Sequence, residues 1–332
     1  TMSSPLSVLV TAEVNEGNLS PITLELLGSA RDLAEKLGGK VVCALLGNGV
    51  AGIAQQIIAQ GADQVIVVDA PALQDYLSDT YTRVMEEVVR QTEIEIVLLG
   101  HTSMGRDLGP RLAFRLGAGL ATDCIELDID SGSKQLMATR PVYGGNARAT
   151  FATDTHPQMA TVRSKAMTPL PLDPSRQGEI VTLSAMPDLK AGLILSDRVK
   201  EEIKGVKLED APVVLGGGRG LGGPEGFQLL DDLARVLKGA VGASRAACDN
   251  GWWPASAQVG LTGKIVAPDL YVAIALSGSS QHMAGCSGSK TIIAINKDPE
   301  ANIFKESQYG VVGDYKQVLP AFAKRIKELL EE

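Results

Sequence analysis

From residue 7 to about residue 127, short β-branched runs alternate with stretches of helical periodicity, the rhythm of parallel α/β layers. Residues 7–12 read as the first strand. Ser20 and Pro21 form an N-cap and N1 pair, and Ile22, Leu26, Leu33 and Leu37 mark one face of a helix that stops at Gly38 and Gly39. Further strands are predicted at 40–46, 64–69 and 95–99, with helices at 49–60 and 76–91, which makes a doubly wound sheet. Past Asp123 the texture changes. Turns at 131–134 and 143–146 and the run 149–152 predict antiparallel hairpins appended to this first domain, with no crossover helix among them. The Pro-rich stretch 168–177 reads as extended and superficial, and the charged segment 200–210 as an exposed connection. The expected division is 1–204 and 205–332. In the second part the α/β rhythm resumes, with apolar runs at 213–215, 240–241, 264–266, 270–276, 291–295 and 311–312. Val318, Phe322, Ile326 and Leu330 then define a last helix capped by Asp314.

With 332 residues, 45 % of them hydrophobic, the chain can bury a core in each of two domains, which excludes a disordered or fibrous protein. Its 39 acidic and 31 basic residues leave a net charge of -8, which disfavours nucleic acid as a partner. No apolar stretch approaches the roughly 18 residues of a membrane span. The four cysteines, Cys43, Cys124, Cys248 and Cys286, form no C-x-x-C pair, so buried free thiols are expected. Thr1 precedes Met2 and nothing from Ser3 onward has a signal or transit pattern, so the expectation is the cytoplasm of a prokaryote. Gly, at 36 residues, exceeds the usual ~7 %. Much of the excess sits in a few tight loops.

Those loops follow the apolar runs of the second domain, where ligands of open α/β sheets bind. The run 213–215 leads into Gly216, Gly217, Gly218, Arg219, Gly220, Leu221, Gly222 and Gly223. The run at 240 leads into Ser244 and Arg245, and the run at 270 into Ser277, Gly278, Ser279, Ser280, Gln281 and His282. Asn296 and Asp314 end the next two strands. Gly218-x-Gly220-x-x-Gly223 matches the dinucleotide fingerprint formally, but Pro224 follows at once and no acid stands at the ribose spacing. Taken together, five strand ends carrying two Arg, a His, hydroxyls and free amides point to a large, anionic, nucleotide-like ligand. Other chemistries fare worse. His282 and Cys286 lack a third metal ligand, and no G-x-S-x-G elbow or Walker A loop is present. His101 and His156 have no acid or thiol at a telling spacing, and Trp252 and Trp253 suit one buried and one semi-exposed indole.

The motifs L-G-G-G-R-G-L, V-G-A-S-R-A-A, Q-V-G-L-T-G-K-I-V-A-P, L-S-G-S-S-Q-H-M-A-G and I-N-K-D-P-E-A-N-I-F stand in order between residues 215 and 304. In them the chain resembles the flavin-binding domain of the electron transfer flavoprotein alpha subunit, or FixB, family. G-H-T-S-M-G-R-D-L-G-P-R-L-A and P-Q-M-A-T-V-R extend the likeness over the first domain. The resemblance implies a Rossmann-like first domain of the adenine nucleotide alpha hydrolase type and a second domain that binds FAD. It also implies a heterodimer with a beta subunit, on which AMP or a second FAD is mainly carried, and against which the first domain packs.

Carried over by motif, Arg219 and Ser244 belong to the phosphate and ribose side, and Ser277, Gly278, Ser279, Ser280, Gln281 and His282 wrap the diphosphate and reach the flavin. Asn296 and Asp314 lie toward the adenosine. Arg245 sits over the isoalloxazine, Thr262 near N5, and His282 at the pyrimidine carbonyl. Val259 and Gly260 offer backbone contacts, while Leu261 stands where relatives often carry Gln. The implied role is an electron carrier that takes electrons from a dehydrogenase, such as an acyl-CoA dehydrogenase of fatty acid beta-oxidation, and converts no substrate of its own. A bifurcating, NADH-linked form, a non-redox nucleotide scaffold and an NAD-dependent enzyme are the alternatives. A full charge at ~4 Å and effective dielectric ~20 is worth roughly 4 kcal/mol, against ~1 kcal/mol for a neutral hydrogen bond, so Arg245 is expected to tune the flavin more than Thr262 does.

Overall fold

The computed structural model describes residues 6–145, 147–184, 189, 192–197 and 206–331. The chain divides into two compact units. The expected boundary at 204/205 lies outside the described residues, as does the first part of the 200–210 connection.

In chain order the first unit contains β1 (Ser7–Thr11), a small ribbon of β2 (Val14–Asn15) and β3 (Asn18–Leu19), α1 (Pro21–Leu37), β4 (Lys40–Gly47), α2 (Ala54–Ala59), β5 (Gln64–Asp69), α3 (Ser78–Gln91), β6 (Ile94–Gly100), α4 (Ser103–Leu116), β7 (Leu120–Cys124), β8 (Glu126–Ile129), β9 (Leu136–Val142), β10 (Ala147–Phe151), β11 (Gln158–Val162) and β12 (Glu179–Thr182). Seven strands form a parallel sheet in the order β12-β5-β4-β1-β6-β11-β7. Their side chains alternate between two cores. Val8, Val10, Val41, Cys43, Ile96 and Leu98 pack with Leu26, Leu33 and Ile57 of α1 and α2 on one face. Leu9, Val42, Ala44, Val97 and Leu99 pack with Val84, Met85, Leu108 and Leu112 of α3 and α4 on the other. A strand buried on both faces reads as a continuous apolar run, which is why these strands are predictable. Helix α1 begins at Pro21 and ends where Gly38 turns left-handed, at φ 68°. The appended hairpins are a three-stranded antiparallel sheet, β10-β9-β8, whose first turn is tied by Asp130 accepting from the Ser133 amide at 2.7 Å.

Several elements differ from expectation. The chain leaves the hairpins and re-enters the main sheet as β11, between β6 and β7. β12 adds an edge strand beyond β5. Helix α4 occupies a segment that carries Gly105, Gly109 and Pro110, residues that break periodic patterns. His101 and His156 do have acids near them in space. His101 Nε2 lies 4.0 Å from Asp123 and His156 Nδ1 2.8 Å from Glu95. The 168–177 stretch is largely exposed, as its composition requires.

The second unit contains β13 (Val213–Gly217), α5 (Pro224–Val236), β14 (Ala240–Ala243), the short α6 (Arg245–Asp249), β15 (Leu270–Ile274), the short α7 (Ser280–Met283), β16 (Thr291–Asn296), β17 (Tyr309–Val312) and α8 (Tyr315–Glu331). Its five parallel strands run β14-β13-β15-β16-β17. The chain moves from β13 to β14 on one side and then to β15 on the other, so the topological switch point lies between β13 and β15. The expected strand at 264–266 is absent. Lys264 makes only an isolated bridge with Val259. Both Trp252 and Trp253 are half-buried, and Trp253 stacks on Phe227 with ring centroids 5.4 Å apart. Val318, Phe322 and Ile326 pack on the core as predicted, and Asp314 Oδ1 caps α8 by accepting from the Lys316 amide at 2.9 Å. The side chain of Leu330 lies outside the described residues.

Gly105, in the first turn of α4, illustrates how closely this sheet and its helices approach. A Cβ there would collide with the carbonyl oxygen of Gly100 at the end of β6. Gly to Ala in a helix ordinarily stabilises by ~1 kcal/mol. Gly105→Ala is expected to do the opposite, destabilising the first unit by about 1–3 kcal/mol, as urea unfolding monitored by circular dichroism would report.

Candidate functional site

At the carboxyl ends of β13, β14, β15 and β16 the second unit encloses a cavity of about 950 Å³. That is near the upper limit of the roughly 300–1,000 Å³ typical of small-molecule and cofactor sites, so it suits a dinucleotide better than a mononucleotide. Four of its walls come from strand ends. After β13, Arg219 and Gly220 line it, and the Arg219 side chain is exposed. After β14, Ser244 and Arg245 follow. The Ser244 amide donates to Gly217 O at 2.9 Å, which fixes the turn, while its Oγ is buried without a hydrogen-bond partner among the described residues. Arg245 is 70 % exposed, with Nε 3.5 Å from Asp249 Oδ2 one helical turn on.

A further wall comes from residues 258–262. Val259 is buried, and Gly260 and Leu261 bring their backbone against the β15 loop, the Leu261 amide donating to Gln281 O at 2.7 Å. The Leu261 side chain is 59 % exposed. Thr262 is exposed and its Oγ1 accepts from Gln258 Nε2 at 3.0 Å.

After β15 comes the most informative loop. Gly278 has φ 77°, and a Cβ there would strike the Ile303 amide, so only glycine serves at this turn. The amides of Ser277, Gly278 and Ser279 donate to no other described residue. Consecutive free amides around a left-handed residue make a concave donor set suited to a phosphate. Ser279, Gln281 and His282 also line the cavity, whereas Ser280 does not. After β16, Asn296 donates through Nδ2 to Leu276 O at 2.7 Å and accepts from the Asp298 amide at 3.0 Å, and so braces two loops.

The structure therefore brings together Arg219, Ser244, Arg245, Val259, Gly260, Leu261, Thr262, Ser277, Gly278, Ser279, Gln281, His282 and Asn296. Asp314 is not among the lining residues and is engaged in capping α8. Sequence reasoning did not single out Gln258, Asp249, Asp298, Glu300 or Asn302, which complete the polar lining. The signal was present for some of them. Asp249 stands four residues after Arg245, and Asp298 to Asn302 lie within I-N-K-D-P-E-A-N-I-F.

His282 is 5 % exposed, and burial pushes its imidazole down to about 4, with the Val259 backbone only partly opposing. It is neutral at physiological pH. Its Nδ1, like Ser244 Oγ, has no partner of good geometry among the described residues. Two orphaned buried polar atoms, three free amides and two exposed guanidiniums fit the hydroxyl, phosphate and carbonyl groups of an adenine–flavin dinucleotide.

Two family descriptions match the chain. The Electron transfer flavoprotein domain covers residues 8–188, and the Electron transfer flavoprotein FAD-binding domain covers residues 207–287, which include most of the cavity wall. The electron transfer flavoprotein subunit alpha of Thermoanaerobacterium thermosaccharolyticum is 43 % identical over 99 % of this chain and 100 % of its own length. Protein FixB of Clostridium saccharobutylicum is 43 % identical over 97 % of both chains. The acryloyl-CoA reductase electron transfer subunit beta of Anaerotignum propionicum is 39 % identical over 97 % of this chain and 95 % of its own. Fold, cavity and likeness converge, and the chain belongs to the electron transfer flavoprotein alpha-subunit family.

Proposed function

We propose that this chain holds FAD in the second unit's cavity and carries electrons as one half of a heterodimer with a beta subunit. The electrons come from a dehydrogenase of the acyl-CoA class, as in fatty acid beta-oxidation, and leave to a second redox partner. The observation that carries this reading is the loop after β15, with its free Ser277, Gly278 and Ser279 amides beside the unpartnered His282 Nδ1 and across from Ser244 Oγ. The proposed division is an N-terminal unit, through residue 204, that packs on the beta subunit, and a C-terminal FAD unit. Its bacterial relatives support a cytoplasmic setting. No helix among the described residues is long and apolar enough to cross a membrane.

FAD, when bound, supplies one- and two-electron chemistry, and the residues around it supply position and charge. The β15-loop amides and Ser244 hold the diphosphate and ribose side, with Arg219 adding a cation at the rim. Asn296 keeps the adenosine end shaped by bracing Leu276. Asp314 acts there only indirectly, through the start of α8. Val259 and Gly260 offer backbone groups, and Thr262 a hydroxyl. Leu261 contributes a main-chain contact and an exposed apolar side chain. Arg245 favours added negative charge. Its exposure and the Asp249 carboxylate beside it move its influence from the ~4 kcal/mol of a shielded pair toward the ~1 kcal/mol of one in water.

Three outcomes are expected. Ser244→Ala removes a group that has no partner among the described residues, so it should leave the FAD-free chain as stable as before or more so, yet weaken FAD binding by ~1 kcal/mol, about fivefold. Fluorescence titration and thermal unfolding of the two forms measure both effects. Arg245→Ala should lower the flavin midpoint potential by an amount on the order of the ~59 mV that corresponds to ~1.4 kcal/mol for one electron, with FAD retained. A spectroelectrochemical titration that finds an unchanged midpoint would remove Arg245 from this role. Nucleotide extraction from the chain co-purified with its beta subunit should yield one FAD and one AMP. Two FAD would favour NADH-linked bifurcation, and no flavin would favour the nucleotide scaffold.

A further inference from the structure

Tyr271, on β15, is one of the largest side chains in the molecule with no exposure at all. Its ring runs beneath β13, where Gly216 leaves room for it. A Cβ on Gly216 would collide with the Tyr271 hydroxyl. That hydroxyl lies 2.8 Å from Nε2 of His282. A buried phenol needs an acceptor, and few are within reach. Cys286 Sγ is the competing acceptor for the phenol, and its own single proton can go to His282 O at 3.7 Å or to Met283 Sδ at 4.0 Å. The nitrogen of a neutral imidazole is a far better acceptor than sulfur. Tyr271 O–H therefore donates to Nε2, and the ring proton sits on Nδ1. This nitrogen, on a residue that lines the cavity, makes no hydrogen bond of good geometry among the described residues, although the Val259 backbone lies near the ring.

We infer that Tyr271 is a positioning residue that locks His282 in its Nδ1–H tautomer, so that the imidazole offers the cavity a hydrogen-bond donor in place of a lone pair. The inference rests on the reading of the cavity as the FAD site. A free neutral histidine prefers its proton on Nε2, so without the phenol the ring would turn a lone pair toward the ligand. A donor stabilises negative charge gathered on a reduced flavin and a lone pair opposes it, so a tautomer chosen deep in the core becomes a bias on the cofactor. Burial keeps the ring uncharged, with its imidazole pushed down to about 4. The bias is thus a fixed dipole and not a titrating cation.

The test uses the FAD-loaded heterodimer with ¹⁵N-labelled histidine. Long-range proton–nitrogen correlation reads the tautomer, and His282→Asn identifies the His282 signals by their loss. The wild-type protein should show a protonated Nδ1 and an unprotonated Nε2 at His282. Tyr271→Phe should move the proton wholly or partly to Nε2 and shift the balance of reduced over oxidised flavin by about tenfold, which is ~59 mV for one electron. Adding Tyr271→Phe to His282→Asn should change that balance no further, because the phenol acts through the imidazole. A wild-type His282 protonated on Nε2 overturns the inference outright, even if no Tyr271 variant folds. An equal shift from Tyr271→Phe in the presence and absence of His282 overturns it as well. A complex that contains no flavin would overturn the proposed function instead, while the tautomer read in the same sample still decides the Tyr271–His282 bond.

Discussion

Parallel strands deliver all their carboxyl ends to one edge of a sheet, and where the connections part in opposite directions the loops cannot close over each other. In this chain that point lies between β13 and β15, and the rest of the site depends on it. The loop after β13 turns toward α5 and the loop after β15 toward α7, leaving the free amides of 277–279 and the arginine at 219 on the rim of one crevice. The neighbouring strands complete the walls, β14 through Ser244 and β16 through Asn296. Among the described residues, the core below is largely apolar and holds one buried hydrogen-bonded side-chain pair, Tyr271 and His282, so most polar chemistry begins at the strand ends.

As proposed, the cavity meets an anionic ligand mainly with neutral donors. Two arginines line it, but both are exposed, and Asp249, Asp298 and Glu300 share the same walls. A cluster of desolvated cations would need compensating partners in the ligand-free chain, since unpaired buried charge is costly. Backbone amides at a left-handed turn and an orphaned hydroxyl carry a much smaller cost. They also leave the overall charge at -8, which disfavours nucleic acid as a partner.

Much of this was legible in the sequence, for identifiable reasons. Helix α1 announces itself with Ser20-Pro21 and closes on Gly38, signals that are entirely local. The strand-end loops of the second unit stand out because glycine, serine and arginine follow apolar runs. β11 was not legible. Its buried polar residues are satisfied only by partners remote in sequence. Gln158 accepts from the Leu136 amide, and Thr161 Oγ1 accepts from the Asp123 amide and bonds His101 Nδ1. Helix α4 was hidden by Gly105, Gly109 and Pro110, which weaken its local preference while allowing tight packing on β6. In the site, most lining residues on the strand-end loops could be read, but Asp249, Gln258, Asp298, Glu300 and Asn302 were missed, and so were the residues that orient the lining. Tyr271 looks like any core aromatic until β15 and α7 are folded together.

The exposure of the rim bears on what kind of protein this is. A group that reacts with one bound substrate gains from exclusion of water and from a wall shaped to that substrate. A carrier that must serve two different redox proteins gains from the reverse, an edge that either partner can approach. Arg245 at 70 % exposure and Leu261 at 59 % stand on the flavin side as proposed, where a substrate-converting site would be expected to be sealed. At the opposite extreme, Tyr271 and His282 lie in the buried core, from which His282 reaches the cavity lining. The site thus separates two demands. Residues that must be approached are loosely held at the surface, and the pair that fixes the polarity of the wall is placed where no partner can disturb it.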